Sequence, residues 1–225
     1  MKIWVLFKNC YNSYMNKILG LLLLLFFSVS AGFCASIWKI SFDDYKDSPT
    51  VDGFRFVSGQ WQLKSAKTPS GKINKFLSQD QSSVEKSKFS VALFESAGAI
   101  SDGIFYARIR LGGGKVQSAG LVLKYKSPSD FIYVALSQTN KTIGVYQFDG
   151  AIRELAKGKT NLEPGQWAGV RVFVRGARVK VELNSAVALQ FSNPAFSGSG
   201  SIGFFTLEDT TADFDNVIVA PLSVK

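Results

Sequence analysis

The sequence predicts an all-β antiparallel sandwich, and three observations carry that prediction. From residue 36 onward the apolar residues recur with a period close to two, and helical spacing is scarce. The apolar stretches are short and are separated at regular intervals by turn residues, the pattern of a sandwich or barrel. Phe42-Asp-Asp44 near the start and Ala212-Asp-Phe-Asp-Asn-Val-Ile-Val-Ala-Pro221 near the end read as the opening and closing strands of one unit. A chain of 225 residues allows one large domain or two small ones, and all-β sandwiches of this length are commonly single units.

The first 35 residues are set aside from that fold. Ile18 to Val29 is a nearly unbroken apolar run with five leucines from Leu21 to Leu25; Lys17 precedes it and the small residues Ser30-Ala-Gly32 and Ala35-Ser36 follow. A basic n-region, a short apolar stretch and a small-residue exit are the parts of a secretory signal peptide. The run is short for a membrane-spanning helix, which needs about 20 apolar residues. Met15-Asn-Lys17 opens such a signal at the usual spacing, so Met15 is read as the initiator and residues 1–14 as an upstream extension. The expected domain is therefore a single unit over 36–225, exported to a periplasmic or extracellular location. Contact with a membrane would come only through an uncleaved signal or a lipidated Cys34. The bulky Phe33 directly before Cys34 departs from the small residue a lipoprotein signal carries there.

Both cysteines, Cys10 and Cys34, lie in that leader, so the exported part must hold together by core packing without a disulfide. Three of the 26 basic residues (Lys2, Lys8, Lys17) and none of the 17 acidic ones are in the leader, which leaves residues 36–225 with a net charge of +6. That balance suits a solubilising surface or attraction to acidic polymers such as uronic-acid glycans or an anionic envelope. No basic run with interleaved aromatics marks a nucleic-acid partner.

Within the domain, strands are predicted over Gly103–Leu111, Gly120–Tyr125, Phe131–Leu136, Thr142–Phe148, from Trp167 through Arg175, over Arg178–Leu183 and over Ala212–Pro221. The breaks between them are Gly112-Gly-Gly114, Ser127-Pro-Ser-Asp130, Gln138-Thr-Asn140, Asp149-Gly150, Pro164-Gly165 and Gly176-Ala177. Asp149-Gly150 reads as a type I′ hairpin turn, which needs positive φ at both central residues. In Arg171–Arg175 the valines Val170, Val172 and Val174 take one face and Arg171, Phe173 and Arg175 the other. Pro194 to Ser201 is read as a loop.

The order of Phe42-Asp-Asp44, Gly59-Gln-Trp-Gln62, Gly120-Leu-Val-Leu-Lys-Tyr125 with Tyr133, Pro164-Gly-Gln-Trp167 and its valine-rich hairpin, Gly200-Ser-Ile-Gly203 and Phe214-Asp-Asn-Val217 resembles the concanavalin A-like lectin/glucanase superfamily. The flavour is that of its laminin-G-like and 3-keto-disaccharide-hydrolase-like members, and the likeness covers nearly all of 37–220. The resemblance implies a two-sheet antiparallel jelly roll, a concave face that often binds glycans, and in some members a structural calcium.

Residues 36–225 contain neither histidine nor cysteine, which excludes Ser-His-Asp and Cys-His nucleophiles and the usual zinc sites. Two-carboxylate glycoside hydrolysis needs only a spaced acid pair. Yet no two of the six glutamates (Glu85, Glu95, Glu154, Glu163, Glu182, Glu208) share a strand face, and the E-x-D-x-x-E cluster of the laminarinase-like members is absent. Glu182, with Lys180 and Arg178 on its face, reads as a solvated cross-strand ion pair.

Binding chemistry remains. Tyr106, Arg108 and Arg110 alternate on one strand face, and Arg171 and Phe173 on another. Aromatic planes stack on sugar C–H faces, and arginine forks bond hydroxyls or carboxylates. The alternative is that the aromatics pack on the other sheet and the arginines are merely solvated. Lys124 and Tyr133 join the candidates because the resembling domains place polar concave-face residues there. Asp43 and Asp44 following the first strand and Asp213 and Asp215 preceding the last are candidate calcium ligands, because the resemblance implies that these strand ends lie close together; capping of turns is the alternative. The function read from these residues is a non-catalytic carbohydrate-binding or envelope-associated module with a glycan partner, acidic in one reading. Its rivals are an enzyme of the 3-keto-disaccharide-hydrolase type and a structural protein-interaction domain.

N-terminal sequencing of the exported protein is expected to start between Ala31 and Ser36; an exported product that retains residues 1–14 would contradict the signal reading.

Overall fold

A computed structural model describes residues 36–46, 50–80 and 89–222. The leader, with its signal, Met15 and both cysteines, lies outside the described residues, as does Glu85. Fifteen strands follow in chain order: β1 (Trp38–Ile40), β2 (Phe54–Ser58), β3 (Trp61–Lys67), β4 (Ile73–Gln79), β5 (Phe89–Phe94), β6 (Gly103–Leu111), β7 (Ser118–Ser127), β8 (Asp130–Ser137), β9 (Thr142–Phe148), β10 (Ile152–Lys159), β11 (Trp167–Arg175), β12 (Arg178–Leu183), β13 (Ala186–Ser192), β14 (Ser201–Leu207) and β15 (Ala212–Pro221). They form two antiparallel sheets. The first has the order β13-β12-β11-β6-β15-β4-β3, with β1 also paired to β15; the second has the order β10-β9-β8-β7-β14-β5-β2.

The closing strand is as the alternation indicates, but the opening one is not. Phe42–Asp44 is a 3-10 turn, and the strand that pairs with β15 is β1, in register Trp38↔Val219 to Ile40↔Val217. Phe42 is fully buried and its ring packs at a tilt against Tyr45 and Phe54, so an aromatic anchor here ends a strand instead of continuing it. The hairpins are where the turn residues put them. Gly176-Ala177 joins β11 to β12 between the paired Arg175 and Arg178, and only Gly176 is left-handed (φ +56), as a II′ turn demands. Asp149-Gly150 also turns the chain, but Phe148 pairs with Ile152, so the loop has three residues. Only Gly150 has positive φ, so this is no type I′ turn.

Alternation fixes which side chains enter the core between the sheets. In β11 and β12 the inward residues Val170, Val172, Val174, Val179 and Val181 are each at most 2% exposed. They join Phe105, Ala107 and Ile109 of β6 and Leu121, Leu123, Ile132, Val134 and Phe204 of the second sheet in one cluster. At about 25 cal/mol per Å² of apolar surface removed from water, this cluster is the dominant stabilising contribution. The second sheet buries both faces. Phe89, Val91, Leu93, Val122, Tyr125, Phe131, Tyr133, Ala135 and Phe205 form a separate apolar cluster on the side away from the core. A strand such as Phe89-Ser-Val-Ala-Leu-Phe94 is therefore buried at every position and apolar at all but Ser90, and period-two reading does not mark it.

Lys124 belongs to the scaffold of this second sheet. Val122 and Tyr125 both face outward although three residues apart, and the ladder to β14 shifts register between them, so β7 carries a bulge there. Lys124 sits in the bulge with φ +53 and 4% exposure. Its Nζ donates to the carbonyl oxygens of Ser101 and, at 3.3 Å, of Ile100. Burial lowers its pKa to about 8, with Asp102 acting in the opposite direction.

Two outcomes follow from this packing. Val172→Asp, which places an unpaired charge in the core, is expected to prevent folding, whereas Phe173→Ser on the outward face leaves a cooperatively melting protein; a soluble, cooperatively melting Val172→Asp variant would mean that the strand parity is inverted. For Lys124 the unfolded chain holds its proton up to its ordinary pKa of 10.5 while the folded one releases it near 8. Folding is thus penalised below pH 8, and stability rises between pH 8 and 10.5, by up to about 3 kcal/mol. Denaturant unfolding across that window should show the rise in the parent protein and its loss in Lys124→Met; an identical slope in both would contradict it.

Candidate functional site

The outward face of the first sheet gathers most of the residues singled out by alternation. β6 and β11 are neighbours in register Arg171↔Tyr106, Gly169↔Arg108 and Trp167↔Arg110. Because side chains alternate, Tyr106, Arg108 and Arg110 stand beside Trp167, Arg171 and Phe173 on one surface, opposite the buried valines. The alternative that these aromatics pack on the other sheet does not hold for Tyr106 and Phe173, which are half-buried on the outward side.

Cations and rings interleave there. The Arg171 guanidinium lies 5.3 Å from the Tyr106 ring centroid, Arg108 lies 5.2 Å from Trp167, and Lys180 Nζ sits 4.0 Å from Phe173. Arg110 is held between Trp167 (4.9 Å) and Phe76 (5.1 Å). Such geometries fall within the roughly 6 Å reach of a cation–π contact.

The carboxylates of this face are engaged. Asp213 Oδ2 accepts from Arg110 Nε (2.9 Å) and a terminal nitrogen (2.7 Å). Glu182 accepts from Lys180 at 2.8 Å and Arg171 at 3.1 Å, and these donors, Lys180 foremost, hold its carboxyl below the usual range. The ion pair expected of Glu182 is present: its two cations remain partly exposed and cover the carboxylate, leaving Glu182 8% exposed. Asp215, 2% exposed, accepts from Asn74 Nδ2 (3.2 Å) and from the backbone N–H of Asn216 (2.7 Å). Among the described residues no carboxylate pairs with Arg108.

A cavity of about 250 Å³ opens on this surface, lined by Tyr106, Arg108, Trp167, Gly169, Arg171, Asn184 and Ser185. Gly169 makes room for it: a Cβ at that position would stand 3.0 Å from the Tyr106 hydroxyl. Asn184 and Ser185 form the two-residue β12–β13 turn, both with positive φ. The Asn184 side chain locks that turn against β11 by accepting from the Gly169 N–H at 2.8 Å.

Trp167, Asn184 and Ser185 were not among the candidates read from the sequence. Extending the alternation of β11 back by four residues from Arg171 places Trp167 on the same outward face. Asn-Ser between two apolar residues is a turn signal of its own. Two candidates lie elsewhere. Tyr133 is in the outer cluster of the second sheet, 2% exposed, packed on Phe89, Phe131, Tyr146 and Phe205, with its hydroxyl pKa raised by burial. Lys124 is the buried bulge residue described above. The structure does not bring either onto the face that carries the other five.

The four aspartates are dispersed over separate partners. Asp43 accepts from the Lys75 N–H (2.7 Å) and lies 3.7 Å from Lys72 Nζ. Asp44 lines a different depression with Tyr45, Lys46, Thr50 and Asp52. Asp213 is bound to Arg110, and Asp215 to Asn74 and Asn216. Among the described residues no group of three or more Asp, Glu, His or Cys side chains is placed to hold a metal ion.

No protein-family model matches the chain. No curated protein matches it in sequence. Solved structures do resemble it. The carbohydrate-binding module CBM66 from Bacillus subtilis superposes with a TM-score of 0.57 at 21% identity, over 73% of this chain and 93% of that one. The apo Crh5 transglycosylase gives 0.58 at 10% identity over 85% and 87%. The exoplasmic/lumenal domain of VIP36, in a form bound to Ca2+ and Man3GlcNAc, gives 0.51 at 12% over 73% and 84%. At these identities the likeness speaks for architecture alone: the chain shares the two-sheet antiparallel jelly-roll sandwich of these structures.

Proposed function

We propose that this domain is an exported, non-catalytic glycan-binding module whose ligand lies on the outward face of the first sheet. The observation that carries the reading is the cavity lined by Tyr106, Trp167 and Arg108: two aromatic rings and an arginine that pairs with no carboxylate among the described residues line one opening. Sugar C–H faces stack on such rings while guanidinium N–H groups bond hydroxyls. Binding pockets of this kind are concave, with a few polar groups that set orientation. The architectures of CBM66 and VIP36 are compatible with a carbohydrate ligand.

Hydrolysis is disfavoured by the state of the carboxylates. A glycoside acid catalyst needs a raised pKa beside a second free carboxylate. Here Glu182 and Asp213 are tied up by cations, and Asp215 is buried under amide donors. Each already accepts hydrogen bonds from cationic or amide donors.

On a glycan array the protein is expected to retain at least one saccharide class without releasing reducing sugar. Trp167→Ala should weaken that binding by about tenfold, the worth of one stacking contact plus its cation, while leaving the melting profile cooperative. Release of reducing sugar, or unchanged binding in Trp167→Ala, would overturn the proposal.

A further inference from the structure

The face described above does not end at the Trp167 cavity. Six residues along β11, about 20 Å at a 3.3 Å rise per residue, Phe173 enters a second cleft of about 500 Å³ at the β11–β12 hairpin. Its charged lining is Arg175, Arg178 and Lys180, with Phe173 beside them on the outward face, while Phe191, packed on the core residue Phe196, and Leu222 line it from the edge of the sheet. No acidic side chain lines it. The two openings are joined by a continuous row, because Arg171 of the first and Lys180 of the second grip the same Glu182.

Arg175 and Arg178 are the informative pair. They are directly opposed across the hairpin, both are exposed, and no carboxylate among the described residues pairs with either. Like charges opposed in this way are destabilising. A protein surface under no other demand would place an acid at one of the two positions. An anion seated between them removes the repulsion and accepts from two guanidinium forks. Arg108, the other cation without a carboxylate, stands at the far end of the same row. Between them Glu182 is neutralised by two cations, and the carboxylate at the hairpin end, Asp102, is engaged by the Gly176 N–H at 2.8 Å.

We propose that the ligand of this face is an extended polyanionic polysaccharide. It lies along β11 with one anionic group at Arg108 and another between Arg175 and Arg178. The inference rests on the glycan-binding reading and adds charge and length to it. The anionic group is a sugar carboxylate or a sulfate ester, which share the chemistry that an arginine fork recognises.

Titration calorimetry with a galacturonide dimer, a galacturonide octamer, a neutral malto-octaose and a sulfated dextran oligosaccharide separates the outcomes. An acidic octamer, uronate or sulfate, is expected to bind at least about tenfold more tightly than either the dimer or the neutral octamer, and to weaken as salt rises. Which acidic probe binds identifies the group. Arg178→Ala should cost the acidic octamer about tenfold without altering the dimer, and Arg178→Glu should cost more; both substitutions are exposed and leave the fold intact. Equal affinity for neutral and acidic octamers would overturn this inference and leave the glycan reading standing. An Arg178→Glu variant that binds the acidic octamer as the parent does would overturn the two-ended seat. Absence of binding to any saccharide would overturn both.

Discussion

The burial of Val170, Val172 and Val174 between the sheets governs everything on the other side of β11. Because successive side chains point to opposite faces of a strand, placing these three in the core forces Trp167, Gly169, Arg171 and Phe173 outward. β6 is aligned by the same constraint: Phe105, Ala107 and Ile109 go in, and Tyr106, Arg108 and Arg110 come out. The two strands pair side by side, so a packing requirement with no functional content assembles a surface of rings and cations. A register slip of one residue would turn the whole surface into the core.

That surface contributes little to holding the fold together. Exposed cation–π contacts are worth about 0.5–1 kcal/mol each, and isolated surface ion pairs about as little. Fewer and cheaper residues would satisfy the outside of a sheet. The opposed Arg175 and Arg178 act against stability. Glycine at 169 costs strand stability and is repaid only by the room it gives the Tyr106 ring. The carboxylates that are present serve to orient cations: Asp213 holds Arg110 against Trp167 and Phe76, and Glu182 holds Arg171 over Tyr106 and Lys180 over Phe173. The arrangement resembles a binding surface with its acceptors already used and several of its donors available.

The strand parity of β11 and β12 was legible in the sequence, because sharp alternation between valine and charge leaves only one way to bury the apolar set. So were β6, β9 and β15, and the hairpin at Gly176. The pairing of β6 with β11 was not legible, since nothing local relates two strands separated by four others in the chain. Hence Tyr106 and Arg171 appeared as two separate candidates although they are cross-strand neighbours on one face. Lys124 and Tyr133 were drawn from the resemblance, and both are buried in the second sheet. For Lys124 the reason is the bulge, an inserted residue that alternation cannot anticipate. For Tyr133 it is that β8 buries both faces. Phe42–Asp44 reads as an opening strand in the sequence, but the buried Phe42 ring anchors a 3-10 turn there.

Amide hydrogen exchange of residues 36–225, compared strand by strand with and without a saturating acidic oligosaccharide, tests most directly whether the outward face of the first sheet is where the ligand lies. Slowed exchange should be confined to β6, β11, β12 and the Asn184–Ser185 turn. Slowing in β8, β9 and β14, with none in the first sheet, would place the ligand on the opposite side of the molecule and contradict the site.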